Sequence, residues 1–475
     1  MFNNSTRETL QALLLAVLAL CVSAVAHSQP VFDEQLEQYI AIGFDGNLAL
    51  QSEHLEVEKA VAALQQARAA YLPLVNVEAR YTRADGGREI DLPLGTLMNP
   101  VYGTLNDLLA AQGRTPAFTR IDDQSIPFMR EREQDTRVTL RQPLFAPSVP
   151  AAVRAQHAVL DASDYRRMAI ARALRRDITL GYLDWLKARS SVQIVTASEA
   201  LLAENLRVNR SLFDNGKITE DGVLRANAEW LEVVQQRRDV ENLVTQAQSY
   251  LNFLLNRELT TALVTTDPPS AVSVAQTALE ALWTTALSRR PEVAAADAVT
   301  RASEEQINLA RYERWPTVAF AVDAGTQGED YRFGDGYNFA TASIVFSWRI
   351  FDGGSDRARV DEARATRRQA ELREAEIAQQ IRFEVQQAYD RLRTTIDSLQ
   401  TADARVQAAR AGFRIASRKR DEGVISQVEF IDARSALTSA ELNYNLTRFE
   451  VHARRAELEY ATSSGNIPLS AATSP

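Results

Sequence analysis

The sequence predicts a mainly α-helical chain that also supplies strands to a membrane β-barrel, and three observations predict it. Its parts occur twice in the same order, each copy holds a helix-forming run of more than sixty residues closed by a glycine, and short stretches of period two lie between these runs. The duplication organises the rest. Ala67-Arg68-Ala69-Ala70-Tyr71-Leu72-Pro73 returns as Ala310-Arg311-Tyr312-Glu313-Arg314-Trp315-Pro316, and Asp214-Asn215-Gly216-Lys217-Ile218-Thr219 returns as Asp421-Glu422-Gly423-Val424-Ile425-Ser426. A unit that occurs twice implies a repeated architecture.

The long runs, Ser148–Phe213 and Ser355–Glu422, are rich in Ala, Arg, Glu, Gln and Leu, all strong helix formers. In the second, Ile377, Ile381, Val385, Ala388, Leu392, Ile396 and Leu399 make one narrow apolar stripe close to an 11-residue period. Each helix would be roughly 100 Å long at 1.5 Å per residue. The stripe alone is equally compatible with a soluble coiled coil. After Gly216 and Gly423 come shorter helices, Lys217–Asn256 and Val424–Ala461, and another pair is expected at Asp33–Tyr71 and Pro291–Arg314. Two short helices stacked end to end match one long helix, which suggests a hollow cylinder of alternating continuous and broken helices.

Four strands are expected, at about 74–83, 136–145, 317–325 and 339–351. Val75, Val77, Ala79 and Tyr81 alternate with Asn76, Glu78 and Arg80, and Val318, Phe320 and Val322 alternate with Thr317, Ala319, Ala321 and Asp323. A barrel with lipid outside and water inside needs this pattern, although a half-buried soluble sheet shares it. Tyr71, Tyr81, Trp315 and Trp348 fall near strand ends, where interfacial aromatics belong. Four strands cannot close a barrel, so strands that span a membrane require several copies of the chain. Pro73 and Pro316 mark the helix-to-strand junctions, since proline cannot continue a helix but can begin a strand.

The compartment follows from the first residues. Arg7 precedes the almost wholly apolar Leu10–Val25, and Ala24-Val25-Ala26 supplies the small residues of a cleavage site. Residues 1–26 are therefore expected to be a signal peptide, with an N-terminal anchor as the alternative. Cys21 follows Leu20 rather than the small residue of a lipoprotein signal, so it should leave with the signal. The mature chain would then form no disulfide and no thiolate metal site. No later stretch holds 18 consecutive apolar residues, and a net charge of −9 with interspersed signs argues against nucleic acid as a partner.

The chain resembles the TolC family of outer-membrane channel proteins over nearly all of its mature length. The resemblance rests on Arg290-Pro291-Glu292-Val293, Trp315-Pro316, Trp348-Arg349-Ile350-Phe351-Asp352-Gly353-Gly354 and Gly423-Val424-Ile425-Ser426. Looser matches in the first half are Asn47-Leu48-Ala49-Leu50, Tyr71-Leu72-Pro73, Gln142-Pro143-Leu144-Phe145 and Gly216-Lys217-Ile218-Thr219; Phe145-Ala146-Pro147 lacks the Asp-Gly-Gly of its counterpart. The resemblance implies a homotrimer in outer-membrane lipid, four strands per protomer in a twelve-stranded barrel, and duplicated long-helix hairpins forming a periplasmic α-barrel. It implies a first repeat at 27–270 and a second at 271–462, followed by a flexible tail at 463–475. Such proteins are passive exit ducts of tripartite efflux or type I secretion systems. Their partners are a periplasmic adaptor and an inner-membrane transporter of RND, ABC or MFS type.

The same resemblance puts the periplasmic tip at turns 216–219 and 423–426. For adaptor contact it points to Gly216, Lys217, Ile218, Gly423, Val424 and Ile425. Glu429 and Asp432, three residues apart and so on one helical face, match the acidic side chains that narrow the pore in the family. Three copies would make a ring of six carboxylates favouring cations, unless the pair is simply solvated. The corresponding places in the first half hold Gly222 and Arg225, so any ring is expected from one repeat only.

The first hairpin is the longer one, with Pro73 and Phe145 72 positions apart against 35 for Pro316 and Phe351. Within its loop, about Ala84–Asp135, Leu94–Tyr102 and Leu105–Leu109 are apolar enough to pack as a short helix. The loop is expected either to cap the barrel mouth or to lie loose on the surface. Two other functions are disfavoured. His54, His157 and His452 are isolated and the glycine pairs lack a phosphate-binding frame, so neither enzyme chemistry nor a cofactor or metal is expected. A periplasmic adaptor would have one helical hairpin between soluble β domains, whereas here the hairpin occurs twice, each time after a strand pair.

Overall fold

The computed structural model describes residues 31–267, 269 and 278–464. The expected signal peptide with Cys21, the repeat boundary at 270/271 and all but the first two residues of the tail lie outside the described residues. The chain divides into two units, one comprising Ala62–His157 and Ala302–Arg367, the other the described parts of Met1–Val61, Ala158–Arg301 and Arg368–Pro475.

The first unit holds the strands. β1 (Leu74–Arg83), β4 (Arg132–Phe145), β5 (Thr317–Gly328) and β6 (Asn338–Ser347) form one antiparallel sheet in the order β1-β4-β5-β6. The register carries the period-two pattern across all four strands. Val75, Leu140, Val322 and Ala342 lie side by side, as do Val77, Val138, Ala324 and Ala340, while the intervening row is Asn76, Thr139, Asp323 and Thr341. One face is therefore apolar and the other polar. The apolar face has no core beneath it: Val77 is 72% exposed, as is Ile344. β1 and β6 each pair on one side only, which leaves two open edges.

Strand positions follow the expectation, and their ends correct it. β4 begins at Arg132 rather than 136 because the whole of β1 out to Arg83 finds a partner on it. β5 runs past 325 to Gly328, paired to Gln134. β6 stops at Ser347 instead of 351 because its partner β5 begins at Thr317, opposite Ser347. Beyond that point Trp348 leaves the ladder, and its Nε1 donates to the carbonyl of Arg314 at 3.1 Å. The register slips between Pro143 and Phe145, where proline offers no N–H to the ladder. Pro73 and Pro316 stand one residue before β1 and β5, as expected of the junctions.

The enlarged loop of the first hairpin is ordered by a second sheet, β2 (Glu89–Leu92) with β3 (Gln124–Pro127), and by helix α3 (Leu94–Ala111). Both apolar stretches of the loop fall in this one helix, with Pro100 inside it.

The remaining helices are α1 (Phe32–Gly46), α2 (Leu48–Ala69), α4 (Ser148–Asp214), α5 (Glu220–Leu254), α6 (Leu279–Arg289), α7 (Pro291–Tyr312), α8 (Ser355–Asp421) and α9 (Gln427–Thr462). The single helix expected at Asp33–Tyr71 is two, because Asn47 leaves helical geometry and its Oδ1 accepts the N–H groups of Ala49 and Leu50 at 3.1 and 3.2 Å. Its amide donates to the carbonyl of Leu254 at 2.9 Å, which ties the break to α5. In the second repeat the corresponding break is Arg290-Pro291, with proline at the first helical position, where its missing N–H costs nothing. α7 ends at Tyr312, two residues before the expected Arg314.

In the second unit, Tyr39, Ile40, Ile178, Tyr182, Leu251, Leu255 and Phe449 belong to one buried cluster drawn from α1, α4, α5 and α9. Tyr182 is its centre. Its ring stacks on Phe32 at 5.5 Å, and its hydroxyl donates to the Val264 carbonyl at 3.0 Å. Burial pushes that hydroxyl up to about 12. A second cluster contains Ile381, Val385, Ala388, Ala286 and Ala461, so the stripe read on α8 is where that helix packs. Each fully buried Ile or Leu contributes about 1.5–3 kcal/mol relative to exposure. Beside this cluster Arg290, 5% exposed, pairs with Glu292 at 2.6 Å and Glu384 at 2.5 Å and lies 5.3 Å from the Tyr460 ring.

Candidate functional site

The two turns that join α4 to α5 and α8 to α9 have the same geometry. Gly216 and Gly423 sit at φ +68 and +73, a left-handed conformation that only glycine adopts cheaply. The Gly216 N–H reaches the Phe213 carbonyl and the Lys217 N–H the Leu212 carbonyl, both at 2.8 Å. In the second turn the Gly423 N–H reaches Arg420 at 2.9 Å and the Val424 N–H reaches Lys419 at 2.8 Å. This paired closure satisfies the last carbonyls of each long helix and turns the chain back.

The closure consumes residues. The following helices therefore begin at Glu220 and Gln427 rather than at Lys217 and Val424 as expected, behind N-caps Thr219 and Ser426. The caps differ. Ser426 and Glu429 form a reciprocal box, the Ser426 Oγ accepting the Glu429 N–H at 3.3 Å and the Glu429 carboxylate accepting the Ser426 N–H at 3.2 Å. Thr219 makes no such bond, and its hydroxyl donates to Asp221 instead.

Of the residues expected to meet an adaptor, Gly216, Lys217, Gly423 and Val424 are exposed, while Ile218 and Ile425 are half-buried. Leu212, Phe213, Leu224 and Val428 add exposed apolar surface near the same turns. Sequence matching missed these four because it compared the turns and not the helix ends that flank them.

Glu429 and Asp432 are both exposed on α9. The capping bond gives Glu429 a local structural role, legible in Ser426-Gln427-Val428-Glu429 but absent from the expectation. Acidic neighbours also come from the first repeat. Glu229 and Glu232 on α5 line a cavity of about 360 Å³ with Ser198, Ile431 and Arg434. Burial pushes the Glu229 carboxyl above the ordinary glutamate range, and the charges of Glu232 and Asp432 add to this against Arg225. The first-repeat places that correspond to Glu429 and Asp432 hold Gly222 and Arg225, and Glu229, further along α5, is near enough to feel the Asp432 charge.

Arginines fasten the region below the turns. Arg420 stacks over the Phe430 ring at 3.8 Å, Phe430 lies 5.6 Å from Phe413, and Arg434 lies 5.4 Å over Phe413. Arg434 is 7% exposed and its Nε reaches the Ser198 hydroxyl at 3.4 Å. Burial pulls its pKa below the usual arginine value, opposed by Glu441. Arg420 also donates to Asn205 at 3.3 Å, so α8, α4 and α9 are linked through side chains of both repeats.

His54 pairs with Glu58 at 3.5 Å, and burial drives His452 down to about 4, with Arg448 and Arg455 adding to the shift.

Comparison with known proteins agrees with the architecture. Protein CyaE of Bordetella pertussis is 28% identical over 176 residues, 37% of each chain. The probable efflux pump outer membrane protein TtgC of Pseudomonas putida is 27% identical over 300 residues, 57% of this chain and 60% of its own. The matches thus span from about a third to three fifths of these relatives' lengths. Among solved structures, the Campylobacter jejuni CmeC outer membrane channel superposes with a TM-score of 0.75 at 16% identity, covering 91% of this chain and 86% of that one. A membrane protein from Pseudomonas aeruginosa gives 0.74 at 18% identity, covering 91% and 93%. The outer membrane efflux protein family model matches residues 45–257 and 282–464, both repeats and nearly every element described, and the chain belongs to that family.

Proposed function

We propose that the chain is the outer-membrane exit duct of a tripartite efflux or type I secretion assembly. As a homotrimer it passes substrates without chemistry from an inner-membrane transporter of RND, ABC or MFS type, through a periplasmic adaptor, to the exterior. The observation that carries this reading is the β1-β4-β5-β6 sheet, with one apolar and one polar face and an open edge at each side. In hydrocarbon each unpaired backbone group costs several kcal/mol, so such a sheet is completed by further copies of itself. Three copies give twelve strands. The name of TtgC favours efflux over secretion.

Within this reading the Gly216 and Gly423 turns, with Lys217, Ile218, Val424 and Ile425, meet the adaptor. Glu429 and Asp432, with Glu229 behind them, set the charge at the inner mouth. The alternative, that the chain is itself a periplasmic adaptor, is disfavoured by a sheet whose apolar face covers no core.

The test is fractionation followed by gel mobility and crosslinking. The protein should be recovered in the outer membrane as a trimer that dissociates on heating. Charged substitutions Ile218→Asp and Val424→Asp should abolish crosslinking to the adaptor while leaving the trimer intact. A periplasmic monomer would refute the duct, and intact crosslinking would refute the tip.

A further inference from the structure

Helix α3 is amphipathic in the reverse sense. Its polar face is the one packed on its own loop. The Thr96 N–H and hydroxyl donate to the two carboxylate oxygens of Asp123 at 2.8 and 2.7 Å, so Asp123 caps the helix start from 27 residues away. Asn99 exchanges two hydrogen bonds with the backbone of Ile121, at 2.8 and 2.9 Å. Asn106 donates to the Phe118 carbonyl at 2.8 Å and accepts from the N–H groups of Ala117 and Phe118, each at 3.1 Å. Gly95 lies so close to Ile121 that a Cβ there would be 2.2 Å from its carbonyl oxygen. The helix is therefore fixed in one rotation about its axis.

That rotation turns Leu94, Leu97, Val101, Leu105 and Leu108 outward, with Leu97 65% and Leu108 56% exposed. Their spacing is three, four, four and three, a single seam of the kind by which helices pack on one another. The loop is tied to the β1–β4 hairpin, since the Ala84 N–H reaches the Glu131 carbonyl at 2.9 Å and β2–β3 continues the pairing outward. The seam thus sits beyond the ends of the strands that carry the open sheet edges.

We propose that this seam docks on the same seam of two other copies of the chain, gathering three α3 helices into an apolar cluster over the barrel mouth. The proposal rests on the trimeric reading above. A copy is favoured over lipid on charge grounds. Helices that lie in a membrane surface carry Lys and Arg on their polar face, whereas α3 has no basic residue and Asp107 as its one charge. A threefold ring also brings identical residues to one axis, so the same seam can serve all three copies.

The test uses Leu97→Cys and Val101→Cys, with the exposed but off-seam Asp107→Cys and the parent chain, whose single cysteine is Cys21, as controls. Mild oxidation in the outer membrane should convert Leu97→Cys and Val101→Cys into covalent dimers several-fold more than Asp107→Cys, within trimers that migrate as the parent does. Trimers that form without preferential crosslinking overturn the docking and leave the duct standing; loss of the trimer in the parent overturns both. Quenching of a fluorophore on Leu97→Cys by brominated lipid, without crosslinking, assigns the seam to lipid and also overturns the proposal.

Discussion

Arg290→Met isolates the buried ion pair at the α6–α7 break. The guanidinium is 5% exposed and holds both Glu292 and Glu384, whose side chains are 28% and 36% exposed. Removing one partner of a fully buried pair costs about 3–5 kcal/mol, because the remaining charge is stranded. Here both carboxylates keep access to water, so about half of that, about 2 kcal/mol, is expected. In a chain of this size about 2 °C of melting temperature accompanies each kcal/mol, which gives a fall of about 4 °C. The pH dependence checks the cause. In the parent, Glu292 is half-buried, which raises its pKa, yet its hydrogen bonds and charge pairing with Arg290 hold it below the ordinary glutamate range. Its contribution is therefore present above the ordinary glutamate pKa and is lost as pH falls through the depressed value. Without Arg290, burial is opposed only by a backbone hydrogen bond and the Arg172 charge, so the Glu292 pKa moves up from its depressed value and the deficit shrinks on acidification. Thermal unfolding by circular dichroism at neutral pH and near pH 4 measures both. A variant that melts with the parent at neutral pH, or shows an unchanged deficit in acid, refutes the reasoning.

Glu429→Gln should keep the Ser426 box, since an amide oxygen accepts the same N–H, while Asp432→Asn removes the second charge; together they should lower cation selectivity in single-channel recordings without loss of trimer, and unchanged selectivity would show the pair to be solvated charges only. Glu429→Ala should also loosen the start of α9 by about 1 kcal/mol, read as faster amide exchange over residues 427–432. Gly325→Ala places a Cβ 2.2 Å from the Thr136 carbonyl oxygen, where backbone has to shift, and should cost about 1–3 kcal/mol in trimer melting, against no loss for Gly412→Ala on α8, where an added Cβ meets nothing within 4 Å. His452, driven down to about 4, contributes stability that is present above its ordinary value of 6.5 and declines as pH falls toward 4; His452→Gln should flatten the melting profile in that window.

The sequence disclosed what period and punctuation encode. α8 packs through Ile381, Val385, Ala388 and Leu392 because a stripe that sparse can only be a seam, and the strands are found because proline and alternation bound them. Ends were misplaced wherever a partner sets them. Nothing in Trp348-Arg349-Ile350 says that β5 gives out opposite Ser347. The break at Asn47 depends on a carbonyl of Leu254, more than two hundred residues away. At the candidate site, matching one repeat to the other located the turns, since both need a left-handed glycine. It missed Glu229, because proximity between α5 and α9 is a matter of packing rather than of equivalent position. The polarity of α3 was legible as two apolar stretches, but not that the loop claims its polar face.

The open edges of the strand sheet also have a genetic consequence. A subunit whose β1 edge cannot pair, for instance through proline at Val77, breaks any ring it enters, because every seam of a closed barrel joins the β1 of one copy to the β6 of another. Expressed in equal amount beside the normal chain, such a subunit leaves only about one ring in eight free of it if three copies assemble at random. Edge-strand defects should therefore behave as dominant, whereas core substitutions that unfold a subunit before assembly should behave as recessive.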